Sequence, residues 1–130
     1  MTAGLHTTNL ANVLLNVIKG TTPTPPSATW VKLHTGDPGS AGTSNASANT
    51  TRSQASFANA SSGALALTGT APSWASWASG SETLTHFSVW DASSAGNFLF
   101  SGAFTSSKAV ANGDTVTQST LGVALSPLAA

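Results

Sequence analysis

Residues 85–114 read THFSVWDASSAGNFLFSGAFTSSKAVANGD, and the fold class follows from them. Phe87 and Val89 alternate with His86, Ser88 and Trp90, the two-residue period of a strand with two different faces. Asp91 closes the run, and Ser93, Ser94, Ala95 and Gly96 supply turn chemistry. A second apolar strand starts at Asn97, with Phe98, Phe100 and Phe104 assigned to one face. Asn112, Gly113 and Asp114 mark the next reversal, so the stretch predicts an antiparallel hairpin with both ends punctuated.

Upstream, residues 28–35 alternate in the same way, with Val31, Leu33 and Thr35 on one side and Trp30, Lys32 and His34 on the other. Gly36, Asp37, Pro38 and Gly39 turn the chain. Residues 36–51 are almost all Ser, Ala, Gly, Thr or Asn and predict a long exposed loop. Leu65 and Leu67 mark a short strand, Trp74 and Trp77 sit in a Ser/Ala-rich stretch, and residues 115–125 predict a last strand with Val123 and Leu125 inward.

The one predicted helix covers residues 6–20. Leu10, Val13, Leu14, Val17 and Ile18 recur at three- and four-residue spacing, which predicts an apolar face packed on the sheet. Thr7 or Thr8 is the expected N-cap, with Lys19 in the last turn and Gly20 at the C-terminal stop. Pro23, Pro25 and Pro26 make residues 21–27 an extended connector. The expected architecture is a single domain, residues 1–130: an N-terminal helix, then a mainly antiparallel β-sandwich of about seven or eight short strands over residues 28–125. Phe87, Val89, Phe98, Phe100 and Leu33 are the candidate core, closed on one side by Leu14 and Ile18.

Composition restricts the function. Only 6% of the 130 residues are charged, four basic against four acidic, against roughly a quarter in ordinary domains. Lys19, Lys32, Arg52 and Lys108 are too sparse for a basic stripe, so nucleic acid is excluded as an expected partner. No apolar run approaches the ~20 residues of a membrane span, so membrane insertion is not expected. With no cysteine, disulfides and cysteine chemistry are ruled out. The N-terminus lacks a secretory pattern, so export by a signal peptide is not expected and synthesis in the cytoplasm of the producing cell is. Near-zero net charge leaves little repulsion between copies and favours self-association.

Together with WVKLHTGDPGSAGT at residues 30–43, the opening stretch resembles a family of small tailed-bacteriophage virion proteins, usually labelled tail fibre or minor tail proteins. The shared elements are a leading helix ending in Lys-Gly, the LHTGDPG turn, the THFSVWDASSAGNFLFSGAF block and the Ala-Asn-Gly-Asp turn. The resemblance covers most of the chain. It implies a structural component on the exterior of a phage particle, made in the host cytoplasm, with other virion proteins as partners. The expected form is a homo-oligomer, a trimer or another cyclic assembly. A capsid decoration protein of the phage head is the alternative, and a glycan-binding β-sandwich module the second alternative.

No catalytic pattern stands against that reading. His6, His34, His86, Asp37, Asp91, Asp114 and Glu82 show no metal or nucleophile spacing, no Ser lies in a nucleophile elbow, and Gly36, Gly39 and Gly42 precede no helix. Neither a catalytic residue, a metal nor a cofactor is expected. His34 and Asp37 flank a turn, where an Asp before Pro38 caps the backbone more often than it binds a metal. The acceptor triplets at Asn45, Asn49 and Asn59 are what so Ser/Thr/Asn-rich a chain generates by chance. Four tryptophans and no tyrosine are unusual. Trp74 and Trp77 are the candidate interface residues, or a stacking platform for a host-surface glycan, with burial in the core or between subunits as the expected state.

Overall fold

The computed structural model describes residues 3–126 and 128–129. Eight strands follow a short helical segment: β1 Thr29–His34, β2 Ser53–Phe57, β3 Ala64–Thr68, β4 Ser73–Trp74, β5 Glu82–Trp90, β6 Phe98–Val110, β7 Val116–Thr117 and β8 Gly122–Ala124. Six form one antiparallel sheet in the order β6-β5-β1-β2-β3-β8, and β4 pairs with β7 in a second, two-stranded sheet. The mainly β, antiparallel class with one short N-terminal helix is therefore the observed one.

The β5–β6 hairpin is the spine of the large sheet. It pairs Glu82 with Val110 at one end and Trp90 with Phe98 at the other, and β1 joins β5 from Trp30↔Trp90 to His34↔His86. The connecting turn is organised by one carboxylate. Asp91 Oδ1 accepts from the Asn97 N–H at 2.6 Å and Oδ2 from Asn97 Nδ2 at 2.8 Å. Arg52 Nη1 donates to the carbonyls of Ala92 and Ala95 in the same turn, and its guanidinium lies 4.1 Å from the Trp90 ring centroid.

The hairpin is not regular. Val89 faces Phe100 but the next residue, Trp90, faces Phe98, so Leu99 is an extra residue on β6. Because side chains alternate with a period of two, one inserted residue reverses the faces beyond it. Phe100 and Phe104 pack on Phe87 in the core, whereas Phe98 packs on Trp90 and His6 on the other side of the sheet. The assignment of Phe98, Phe100 and Phe104 to one face is thus corrected by the bulge.

The principal core unites both sheets: Val31, Leu33, Leu84, Phe87, Val89 and Phe100 from the large one, Trp74 and Val116 from the small one, and Trp77 and Leu121 from the connections. Gly102, opposite Phe87, makes this packing possible, since a Cβ there would lie 2.5 Å from Phe87 Cζ. On the reverse face, residues 36–51 are mostly exposed, yet Pro38, Gly42 and Ser47 are buried. Gly42, at φ +70°, leaves the space that the Phe98 ring occupies. The loop lacks apolar mass but is tied down by hydrogen bonds, with Thr35 N–H to Asn45 O, Ser44 N–H to Pro38 O and Ser47 N–H to Leu33 O, all 2.9–3.0 Å.

Two further expectations are corrected. The helical segment is a π-turn over Thr7–Ala11 followed by α-helix only over Asn12–Asn16. His6, not Thr7 or Thr8, caps it, its Nδ1 accepting from Asn9 N–H at 3.0 Å. Leu10 packs against the core, but Leu14, Leu15, Val17 and Ile18 are exposed. The α-helical turn packs chiefly on the π-turn rather than on a strand, so the apolar face read from α-helical spacing is left largely uncovered. The last strand is also divided. β7 pairs with β4 and β8 with β3, and no straight strand reaches both sheets; Val123 is half-buried, while Leu125 is 52% exposed.

Phe98→Ala is expected to cost about 3–5 kcal/mol in urea denaturation despite lying outside the principal core. Gly102→Ala should cost about 1–3 kcal/mol, because Phe87 must move. Unchanged midpoints in both variants would mean that the two faces of β6 are wrongly assigned.

Candidate interaction surface

Trp74 is 4% exposed and Trp77 1%. Each indole N–H is bonded inside the chain, Trp74 Nε1 to Thr51 O at 2.8 Å and Trp77 Nε1 to Gly80 O at 3.0 Å. Both rings fill the space between the two sheets, so neither presents a face for stacking on a sugar. The reason lies in size: in a Ser/Ala-rich stretch an indole supplies the volume that its neighbours lack.

The titratable side chains are engaged in building turns and joining strands. Asp37 Oδ1 accepts from Gly39 N–H at 2.8 Å, and Asp114 Oδ2 accepts from Ala111 N–H at 2.9 Å. Glu82 on β5 accepts from Ser47 Oγ and from the Ala48 N–H, anchoring the long loop. His86 Nδ1 bonds Thr85 Oγ1 at 2.8 Å. Among the described residues no three His, Asp or Glu side chains come together as metal ligands, and His34 and Asp37 point their polar atoms to different partners.

His34 is fully buried at the centre of a polar relay. Its Nδ1 lies 2.8 Å from Ser44 O, a pure acceptor, so Nδ1 carries the proton and Nε2 accepts from Ser88 Oγ at 2.7 Å. Ser88 Oγ in turn accepts from Trp90 Nε1 at 2.8 Å. Every group in this line is satisfied by a neutral imidazole. Burial pushes the His34 pKa below its ordinary value; the Ser44 carbonyl pulls it up, and the charges of Lys32 and His86 add to the lowering.

Two surface features lie outside what the residue pattern predicts. The first is apolar: Leu15 is 63% and Ile18 85% exposed, beside Leu14 and Val17. Leu14 also borders an apolar cavity of about 260 Å³ whose walls include Leu10, Phe57, Leu65, Phe100 and Val123. The spacing identified this stripe, but as core. The second is a cleft of about 480 Å³ between β6 and residues 116–122, lined by Phe104, Lys108, Gln118 and several hydroxyl side chains. No motif announces it, since its walls come from distant parts of the chain. No helix among the described residues is long and apolar enough to cross a membrane.

A buried histidine with a lowered pKa binds protons more readily in the unfolded chain. Its contribution is complete above the unfolded value of about 6.5 and is lost as pH falls from there through the lower folded value. The melting temperature should fall on acidification below about pH 6.5, and His34→Gln should flatten that dependence while lowering stability at neutral pH. An equally steep acid dependence in the variant would assign it elsewhere.

No curated protein matches the chain. A family match does exist, and it runs over residues 6–126, from the histidine that caps the helical segment to the residues just past β8. With nearly the whole chain covered, the protein belongs to the family described as podophage GP4 fiber I protein gp80.

Proposed function

We propose that this chain is a non-enzymatic building block of a podophage fibre, carried on the outside of the virion in multiple copies and joined to other fibre chains through its N-terminal apolar stripe. The observation that carries the reading is the exposure of Leu14, Leu15, Val17 and Ile18 just beyond residues 4–9, which are bonded to β6. His6 N–H bonds Leu99 O at 2.7 Å, Ser101 N–H bonds Gly4 O at 2.9 Å, and Asn9 Nδ2 donates to Phe98 O at 3.0 Å. Large apolar side chains grouped on an ordered surface gain most by being covered. With a formal net charge of zero, little repulsion opposes that contact.

The family's fibre description supports a place in the fibre over one in the capsid shell. The engagement of Asp37, Asp91 and Asp114 in turn hydrogen bonds and of Glu82 in anchoring the long loop supports a structural role over a catalytic one. A trimer or another cyclic assembly is the expected form, as closed symmetry covers one patch per copy without leaving an open end.

Light scattering at increasing concentration should show species larger than a monomer for the unaltered chain. The double change Leu15→Glu and Ile18→Glu should return it to a monomer with the melting temperature within a few degrees, because both side chains are exposed in the single chain. Mass spectrometry should find the chain in purified virions. A monomer at all concentrations that is also missing from virions would refute the proposal.

A further inference from the structure

Asn112 is the one asparagine of the chain that precedes a glycine, and both residues are exposed. Gly113 has a φ of +94°, and a Cβ placed on it would meet no atom within 4 Å, so the turn stands in open space on that side. On the other side it is held by residues 77–80. Gly113 N–H donates to Trp77 O at 2.7 Å, Trp77 N–H to Asp114 O at 2.9 Å, and Gly80 N–H to Asn112 Oδ1 at 2.8 Å. Trp77 Nε1 closes this clamp on Gly80 O at 3.0 Å, and its ring is buried in the core. The Gly113 nitrogen and the Asn112 side-chain amide are thus both tied to a loop anchored by one indole.

We propose that Asn112 is a site of spontaneous deamidation, and that the clamp of residues 77–80 sets its rate. Hydroxide removes the Gly113 amide proton, and the nitrogen attacks Asn112 Cγ. The new N–Cγ bond closes a cyclic imide as the bond from Cγ to Nδ2 breaks, and ammonia leaves with a proton taken from water. Water then opens the imide at either carbonyl, giving aspartate or isoaspartate. Glycine makes the attack accessible, since it sets no Cβ beside the nitrogen and leaves the backbone free to reach the required conformation. While Gly113 N–H is bonded to Trp77 O its proton is retained, and the bond from Gly80 fixes the Asn112 amide. The reaction therefore waits on local opening of the clamp. The two products differ in what they leave behind. In aspartate, a carboxylate oxygen replaces Oδ1 and still accepts from Gly80 N–H. Isoaspartate routes the main chain through the side chain, lengthens the turn by a methylene, and pulls the bonds of Gly113 and Asp114 to Trp77 out of register. Either product puts one negative charge on a chain whose formal net charge is zero. Nothing in this chemistry depends on how the chains assemble.

The test incubates the full chain at mildly alkaline pH, in native buffer and in guanidinium chloride, and follows each asparagine by peptide mapping that separates aspartate from isoaspartate. In denaturant Asn112 should convert before any other asparagine. In the folded chain it should convert at least tenfold more slowly, at a rate that tracks hydrogen exchange of the Gly113 amide. Trp77→Phe, which keeps a ring but loses the bond to Gly80 O, should raise the folded-state rate several-fold and leave the denatured rate unchanged. Where that variant does not fold, the products serve: Asn112→Asp should melt within a few degrees of the unaltered chain, and isoaspartate chain purified from the incubation should melt lower. Earlier conversion of another asparagine in denaturant, or equal rates in the folded and denatured chain, would overturn the proposal. So would a folded-state rate untouched by Trp77→Phe, or an isoaspartate form that melts like the unaltered chain.

Discussion

One inserted residue, Leu99, organises the molecule. By reversing the alternation of β6 between Phe98 and Phe100, it sends one aromatic ring to each side of the β5–β6 hairpin. A small sheet with few large side chains would ordinarily have one dry face. Here both are covered, the first by the β4–β7 ribbon with Trp74 and Val116, the second by the loop that Gly42 lets settle onto Phe98. Without the bulge, Phe98 would compete with Phe100 for the same side, and the reverse face would lose the ring that His6 and Trp90 pack against.

The second face also explains how a Ser-, Ala- and Gly-rich loop comes to be ordered. It buries little apolar surface, so backbone hydrogen bonds and single side-chain anchors take over. Glu82 holds Ser47 and Ala48, His34 holds Ser44, and Asp37 closes its own turn. The four carboxylates, His34 and Arg52 are placed where one side chain secures stretches of backbone. That economy shapes the outer surface of this fibre-family protein, which is left to hydroxyls, amides and an apolar stripe.

Much of this was legible in the sequence because the signals were local. The alternation in residues 85–90, the turn at Asp91, the capping role of Asp37 and the core positions of Leu33, Phe87 and Val89 each follow from neighbouring residues. What was not legible arises where a local rule is broken. The chain leaves the sheet after the π-turn at Thr7–Ala11, so Leu14 and Ile18 lie at the surface, and the Leu99 bulge moves Phe98 across the sheet. The second is a phase error: alternation holds on either side of the bulge, and one inserted residue resets it. The cleft around Gln118 escaped for a different reason, since it exists only once β6 and residues 116–122 are brought side by side.

The way the four carboxylates are used carries a consequence for the surroundings in which such a chain can work. Their hydrogen-bond partners are short-range amide and hydroxyl donors rather than distant cations. Mobile ions weaken attractions between separated exposed charges over about 8–10 Å at ordinary ionic strength, but they do little to a contact of about 3 Å between a carboxylate and an amide. Cohesion built this way, with no net charge for counterions to screen, is nearly indifferent to whether the surrounding solution is dilute or briny.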